Sequence, residues 1–204
     1  MKIGLFGGSF DPVHLGHLLL AESAREACEL DQVWFIPAFQ SPFKEKLPRA
    51  TGKQRLEMLR LAVAGFPVFV VYDGEVKRKQ ISYTIDTVRE ISQARPDDEL
   101  FLMIGADSLR DFHRWKDPGE ILKLVTLVAV NRGEQTISIP DELEQLVPEA
   151  RERIRTITMP AVDFSSSDLR ERCRTGRSIR FQTPRAIEQY ILQNRIYDSG
   201  TDDR

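Results

Sequence analysis

The sequence predicts an α/β fold built on a doubly wound parallel sheet, and three features carry that expectation. Apolar runs of strand length alternate with segments of helical periodicity along most of the chain. A helical segment separates the first two runs, which makes a βαβ unit and therefore a parallel pair. Between the first run and that helix lies a glycine turn, Gly7-Gly8-Ser9, at the edge where such sheets bind ligands. These observations together describe a single Rossmann-like domain over residues 1–197, with a small C-terminal helical part at about 165–197 and a polar tail at 198–204.

The first element is the strand Lys2-Ile3-Gly4-Leu5-Phe6, and the chain is organised around the stretch after it, Gly7 to His17. Leu15, Leu18 and Leu19 then recur at helical spacing and lead into Ala21, Ala24 and Cys28. A helix start presents free N–H groups and a positive dipole end, so this turn is a ready anion site. Gly7 and Gly8 let main chain approach a ligand that a Cβ would hold off. His14 and His17, three residues apart, can project from one face of the first turn and donate to phosphate oxygens. The plainer alternative is a capping histidine beside a chance neighbour.

Val33 to Pro37 is the second strand, and Phe39 to Arg49 a basic, proline-containing loop whose Lys44 can reach a phosphate held over the first turn. Leu56, Leu59 and Val63 mark a helix over 53–64, Val68 to Tyr72 a third strand, and Asp73 to Arg78 a polar loop. A helix opens at Ser82-Tyr83-Thr84, with Ser82 or Thr84 as its cap and its N–H groups suited to a carboxylate. Leu100 to Ile104 is the fourth strand, ending at Gly105 and Asp107, where Asp107 can cap a short helix from Ser108 to Phe112. Trp115 comes next in a polar setting, where it can stack on a flat ring or pack as a loop tryptophan. Thr126 to Val130 is the fifth strand, running into Asn131-Arg132-Gly133.

Residues 137–148 read as an acidic surface excursion with one short helix, and Ile154 to Ile157 as the last strand. Ser165-Ser166-Ser167 before a helix supplies a cap and spare hydroxyls. Arg170, set against the dipole of that helix, suits a facing anion. Thr183-Pro184 opens a final helix through Ile187, Tyr190 and Ile191.

The net charge of −2, with 41% hydrophobic and 29% charged residues, gives no global attraction to nucleic acid or membrane. Nine arginines against four acids from Arg151 to Arg185 raise the question of nucleic acid. With few interleaved aromatics, a phosphate pocket and solvent account for them. No run is long enough to span a bilayer, a strand begins within two residues of Met1, and a cytoplasmic location is expected. Cys28 and Cys173 lack metal spacing and read as two buried thiols in a reducing cytoplasm, not a disulfide.

Four pieces of the sequence, GGSFDPVHLGHL, ISYTIDTV, IGADSLRDFHRW and SSSDLRERCRTGRSIRFQTP, together resemble the bacterial nicotinate-nucleotide adenylyltransferases from Met1 to about Tyr197. These belong to the nucleotidyltransferase superfamily, whose HxGH element binds a nucleotide triphosphate. Pantetheine-phosphate adenylyltransferases share the first piece but are shorter and lack the tryptophan element. The resemblance implies adenylyl transfer from ATP to nicotinate mononucleotide, giving deamido-NAD and pyrophosphate, with Mg²⁺ arriving on ATP and no dedicated protein metal site.

Carried over, Gly7, Gly8, Ser9, Phe10, His14 and His17 face the nucleotide and its phosphates, and Gly105 and Asp107 lie at its ribose and adenine side. Ser165, Ser166 and Arg170 flank the triphosphate, with His14, His17, Lys44 and Arg170 stabilising charge. Thr84, Tyr83 and Trp115 receive the nicotinate. Where many members read Pro-Pro-His-Lys this chain reads Ser41-Pro42-Phe43-Lys44, so only the lysine carries over. The expected partners are these two small substrates, with no nucleic acid or membrane and an oligomer open. The rival readings are a nucleotidyltransferase for another small substrate and a non-catalytic nucleotide-binding module.

Overall fold

A computed structural model describes residues 1–133 and 138–198. In chain order the elements are β1 (Lys2–Gly8), α1 (Leu15–Ala27), β2 (Gln32–Pro37), α2 (Gly52–Val63), β3 (Phe69–Val71), α3 (Gly74–Arg78), α4 (Thr84–Ala94), β4 (Glu99–Gly105) and α5 (Ala106–Arg110). After a 3₁₀ turn at Phe112–Arg114 come α6 (Pro118–Leu124), β5 (Thr126–Arg132), α7 (Asp141–Leu146), α8 (Ala150–Arg153), β6 (Ile154–Met159), α9 (Ser166–Arg174) and α10 (Arg185–Asn194).

The six strands form one parallel sheet in the order β3-β2-β1-β4-β5-β6. The winding reverses between β1 and β4, and the crevice at such a reversal is where open α/β sheets bind ligands. Both faces of the sheet are covered, so its strands are apolar on both sides and the side chains divide by parity. Phe6, Val33, Phe35, Phe101, Met103, Val128 and Val130 face the layer of α1, α2, α9 and α10. Ile3, Leu5, Trp34, Ile36, Leu100, Leu102, Ile104 and Leu127 face the layer of α4, α6, α7 and the 3₁₀ turn. Gly4 is required by this packing, because a Cβ there would come within 2.7 Å of both Leu30 and Met103.

The C-terminal segment belongs to the first layer. Leu169, Ile187, Ile191, Ile196 and Tyr197 are buried in the same core as α1 and α2. Several expectations are corrected. Asp73 to Arg78 is not an open loop, since Gly74–Arg78 is the short helix α3. Neither Ser82 nor Thr84 caps α4: Tyr83 holds that position, and the Ser82 hydroxyl accepts from the Phe39 N–H at 2.9 Å. Asp107 lies inside α5, behind the N-cap Gly105, and pairs with Arg110. The acidic 137–148 stretch, whose Ile137 lies outside the described residues, is more than surface, for Leu143 and Val147 are buried. Cys28 and Cys173 are free thiols, the second only half-buried.

Candidate active site

The turn between β1 and α1 is built so that both histidines come to one place. His14 is the N-cap of α1 and His17 its third residue. The His17 Nδ1 accepts from the His14 N–H at 3.2 Å, the service that a third-position glutamate or glutamine usually performs for an N-cap. The two rings stack with centroids 3.7 Å apart and planes at 21°. Gly16 leaves room for this, because a Cβ there would meet the His14 ring at 3.1 Å. His17 thus caps through one nitrogen, as the plainer alternative has it, and also lines both clefts.

Both rings are neutral near pH 7. Burial, then the Arg132 guanidinium, lowers His14 to about 4. Burial, then His14 and Arg132, holds His17 well below the ordinary histidine value. A neutral imidazole that accepts at Nδ1 carries its proton at Nε2, so His17 presents an uncharged N–H donor on the side away from the helix.

Phe10 sits in the left-handed region (φ 46°) and is buried, packing edge-on against Phe6 at 5.4 Å and His17 at 5.1 Å. Its ring lies where a Gly8 Cβ would be, 3.0 Å away, so that glycine is explained by packing as much as by a ligand. At Gly7 and Gly105, the ends of the adjacent strands β1 and β4, an added Cβ would meet no protein atom within 4 Å. Bare main chain is therefore exposed side by side at the point where the winding reverses.

Two adjoining clefts open there. The first, of about 650 Å³, is lined by Gly7, Gly8, Gly105, Asp107, Tyr83, Thr84 and Trp115, with Phe43 and buried Glu75. The second, of about 740 Å³, is lined by Phe10, Asp11, His14, Ser165, Ser166 and Arg170 together with the basic loop from Lys44 to Arg49. Ser9, His17, Lys44 and Arg132 line both. At that junction the Lys44 Nζ donates to Ser9 Oγ at 3.1 Å.

The second cleft is shaped by bonds that the sequence did not foretell. The carbonyls of the turn are held from outside: Ser9 by Arg55 at 2.8 Å, Asp11 by Arg170 at 2.7 Å, Pro12 by Ser166 Oγ at 2.8 Å and Val13 by Thr183 Oγ1 at 2.9 Å. Asp11 is the hub of the arrangement. Its buried carboxylate accepts from the Arg49 N–H at 2.9 Å, the Ala50 N–H at 3.0 Å and the Tyr197 hydroxyl at 2.8 Å. Ser165 caps α9 by accepting from the Asp168 N–H.

In the first cleft, Trp115 is half-buried and rests on the buried Phe112 at 5.1 Å between centroids. Thr84 is the first residue of α4, whose opening N–H groups have no intrahelical partner. Behind it Glu75 accepts from the Thr87 hydroxyl at 2.6 Å, and burial pushes its carboxyl up.

All the residues expected from the sequence therefore line one or both clefts. Asp11, Arg55, Arg132 and Tyr197 were not among them. Arg132 had a signal in its position at the C-terminal end of β5, and Asp11 in its place within the Gly7–His17 stretch.

An open parallel sheet with bare glycine main chain and paired imidazoles at its reversal point defines a nucleotidyltransferase. The cytidylyltransferase-like family model matches residues 5–172. Relatives described as probable nicotinate-nucleotide adenylyltransferases include that of Dictyoglomus thermophilum, 41% identical over 97% of this chain and 100% of its own length. That of Rhodopirellula baltica is 44% identical over 96% and 92%, and one from Thermus thermophilus is 43% identical over 97% and 100%. The chain belongs to the cytidylyltransferase-like family and, within it, to the nicotinate-nucleotide adenylyltransferases. The Plasmodium falciparum nicotinic acid mononucleotide adenylyltransferase complexed with NaAD shares the fold, with a TM-score of 0.77 at 17% identity over 96% of this chain and 97% of that one.

Proposed function

We propose that the protein transfers the adenylyl group of ATP to nicotinate mononucleotide, giving deamido-NAD and pyrophosphate. The observation that carries this reading is the junction of the two clefts, where Ser9, His17, Lys44 and Arg132 line both. ATP lies across the junction, its adenosine over Gly105 and Asp107 and its β- and γ-phosphates beside Arg170, Ser165 and Ser166. The mononucleotide fills the rest of the first cleft, its ring on Trp115, its acid group at the start of α4 and its phosphate at the junction.

A phosphate oxygen of the mononucleotide then forms a bond to the α-phosphorus. The α–β bridging bond breaks, and its electron pair leaves with pyrophosphate into the second cleft. The attacking phosphate is already ionised near neutral pH, so no side chain takes a proton. The work of the protein is positioning and charge stabilisation. His17 gives a neutral N–H donor, while Lys44 and Arg132 give positive charge at the point where negative charge shifts. Arg170 and Ser166 act by fixing the carbonyls of the turn, with Arg170 also bordering the second cleft.

Among the described residues no group of three or more His, Cys, Asp or Glu side chains is placed to hold a metal ion. Mg²⁺ would arrive bound to ATP, with phosphate oxygens as its ligands, and would neutralise charge there. The test is pyrophosphate release and deamido-NAD formation by the purified protein, with nicotinamide mononucleotide and pantetheine phosphate run in parallel. Turnover with either of those in preference to nicotinate mononucleotide would overturn the substrate assignment, and no turnover with any would favour a binding module.

A further inference from the structure

The loop after β2 carries a phenylalanine to which adenylyl transfer assigns no part. Phe43 is 55% exposed and stands at the mouth of the first cleft. Its ring faces Trp115 at 6.3 Å between centroids, with the planes tilted by 42°. Trp115 is backed by Phe112, which is fully buried, so that wall is fixed. The opposite wall sits on a loop anchored at Gln40, whose carbonyl accepts from the Ser82 N–H at 2.8 Å, and held beyond it mainly by local contacts. The Phe43 N–H donates to Ser41 Oγ at 3.3 Å, and the Gln40 amide donates to the carbonyls of Lys44 and Glu45 at 3.4 Å each.

We propose that Phe43 is the second wall of the pyridine site, closing on the face of the mononucleotide ring that Trp115 leaves open. This rests on the reading that the ring lies on Trp115. Two ring contacts at about 3.5 Å each need aromatic walls about 7 Å apart. The present spacing is short of that by less than about 1 Å, so a small opening and a rotation toward parallel admit one flat ring. The N-ribosylated pyridine is cationic, and two aromatic faces attract a cation through their quadrupoles.

Among the described residues the other aromatics lining this cleft are already engaged. Lys116 covers Tyr83 at 4.6 Å, and Phe6 packs against Phe10, Phe35 and His17. Lys44, the next residue along, reaches Ser9 at the junction. Closing the ring site therefore also settles the loop that brings a lysine to the reacting phosphate.

The test is steady-state kinetics with both substrates varied on the wild type and on Phe43→Ala, Phe43→Leu and Phe43→Tyr, with binding of nicotinate mononucleotide followed by tryptophan fluorescence. Phe43→Ala and Phe43→Leu should each raise KM and Kd for the mononucleotide about three- to tenfold, the scale of one aromatic pair. KM for ATP should move less than about twofold, and Phe43→Tyr should stay within about twofold of wild type. Full activity of the leucine variant, or equal rises in KM for both substrates, would overturn the assignment and leave Phe43 a loop residue. A wild type that does not use nicotinate mononucleotide at all would instead overturn the substrate reading, and shows before any variant is compared.

Discussion

At the scale of single residues the proposed chemistry turns on His17, to whose two ring nitrogens it gives two jobs. Nδ1 takes the N–H of His14, and this fixes the proton on Nε2. His17→Ala should therefore cost both ways. Loss of one preorganised donor lowers kcat by about 10²–10³, and loss of the cap lowers stability by about 1 kcal/mol. Turnover near wild type in a folded His17→Ala protein would remove it from the chemistry.

His14 gives a second prediction. Its native pKa of about 4 lies below the ordinary histidine value, so the unfolded state binds more protons and stability falls as pH drops below that ordinary value. The loss from His14 should be about 2 kcal/mol between pH 7 and pH 5 by linkage. Urea unfolding at the two pH values on wild type and His14→Gln measures it, the variant losing less. The histidine pair was plain in the sequence because its spacing is local. Asp11 was not, because its partners Arg49, Ala50 and Tyr197 are brought to it only by folding.

At the scale of elements, the proposed function makes the start of α4 the place that discriminates between mononucleotides. Its first N–H groups and the Thr84 hydroxyl suit a carboxylate, whereas an amide turns a donor toward them. A mispaired buried group costs about 1–3 kcal/mol, so acid should be preferred over amide in kcat/KM by at least about tenfold. Thr84→Val should shrink that ratio. Trp115→Ala should weaken both mononucleotides by about 1–3 kcal/mol and leave the ratio unchanged, since stacking is blind to the substituent. Equal use of acid and amide by the wild type would remove this helix start as the carboxylate site.

The long helices and the six strands were legible from periodicity, and short helices were expected close to α5 and α7. The short helices α3, α6 and α8 were not. α3 is only five residues long and begins with Gly74, which no propensity favours, and its buried Glu75 is held by Thr87 from α4. The start of α4 shifted by two residues for a related reason, since the Ser82 hydroxyl that could have capped it serves the loop at Phe39.

At the scale of the whole molecule the sheet separates two apolar layers, and the C-terminal helix closes one of them. Ile187, Ile191 and Ile196 are each almost wholly buried, at about 1.5–3 kcal/mol apiece. Together they rival the roughly 5–15 kcal/mol by which a domain is stable. A chain ending at Thr183 should therefore lose cooperative thermal unfolding and bind a hydrophobic dye. A sharp transition in that truncated chain would show that the C-terminal part is an appendage.

Tyr197 reaches Asp11 across 186 positions of sequence, and Thr183 reaches Val13 across 170. The nucleotide turn is made well before Ser166, Arg170, Thr183 and Tyr197, which hold three of its carbonyls and its aspartate, whereas Arg49, Ala50 and Arg55 follow it more closely. A nascent chain can assemble much of the sheet while the turn still lacks its outer supports. The finished shape of the turn to which the proposed function gives ATP thus waits on chain made much later, and a chain stalled short of α10 carries His14, His17, Lys44 and Arg170 without the hydroxyl that Tyr197 gives Asp11.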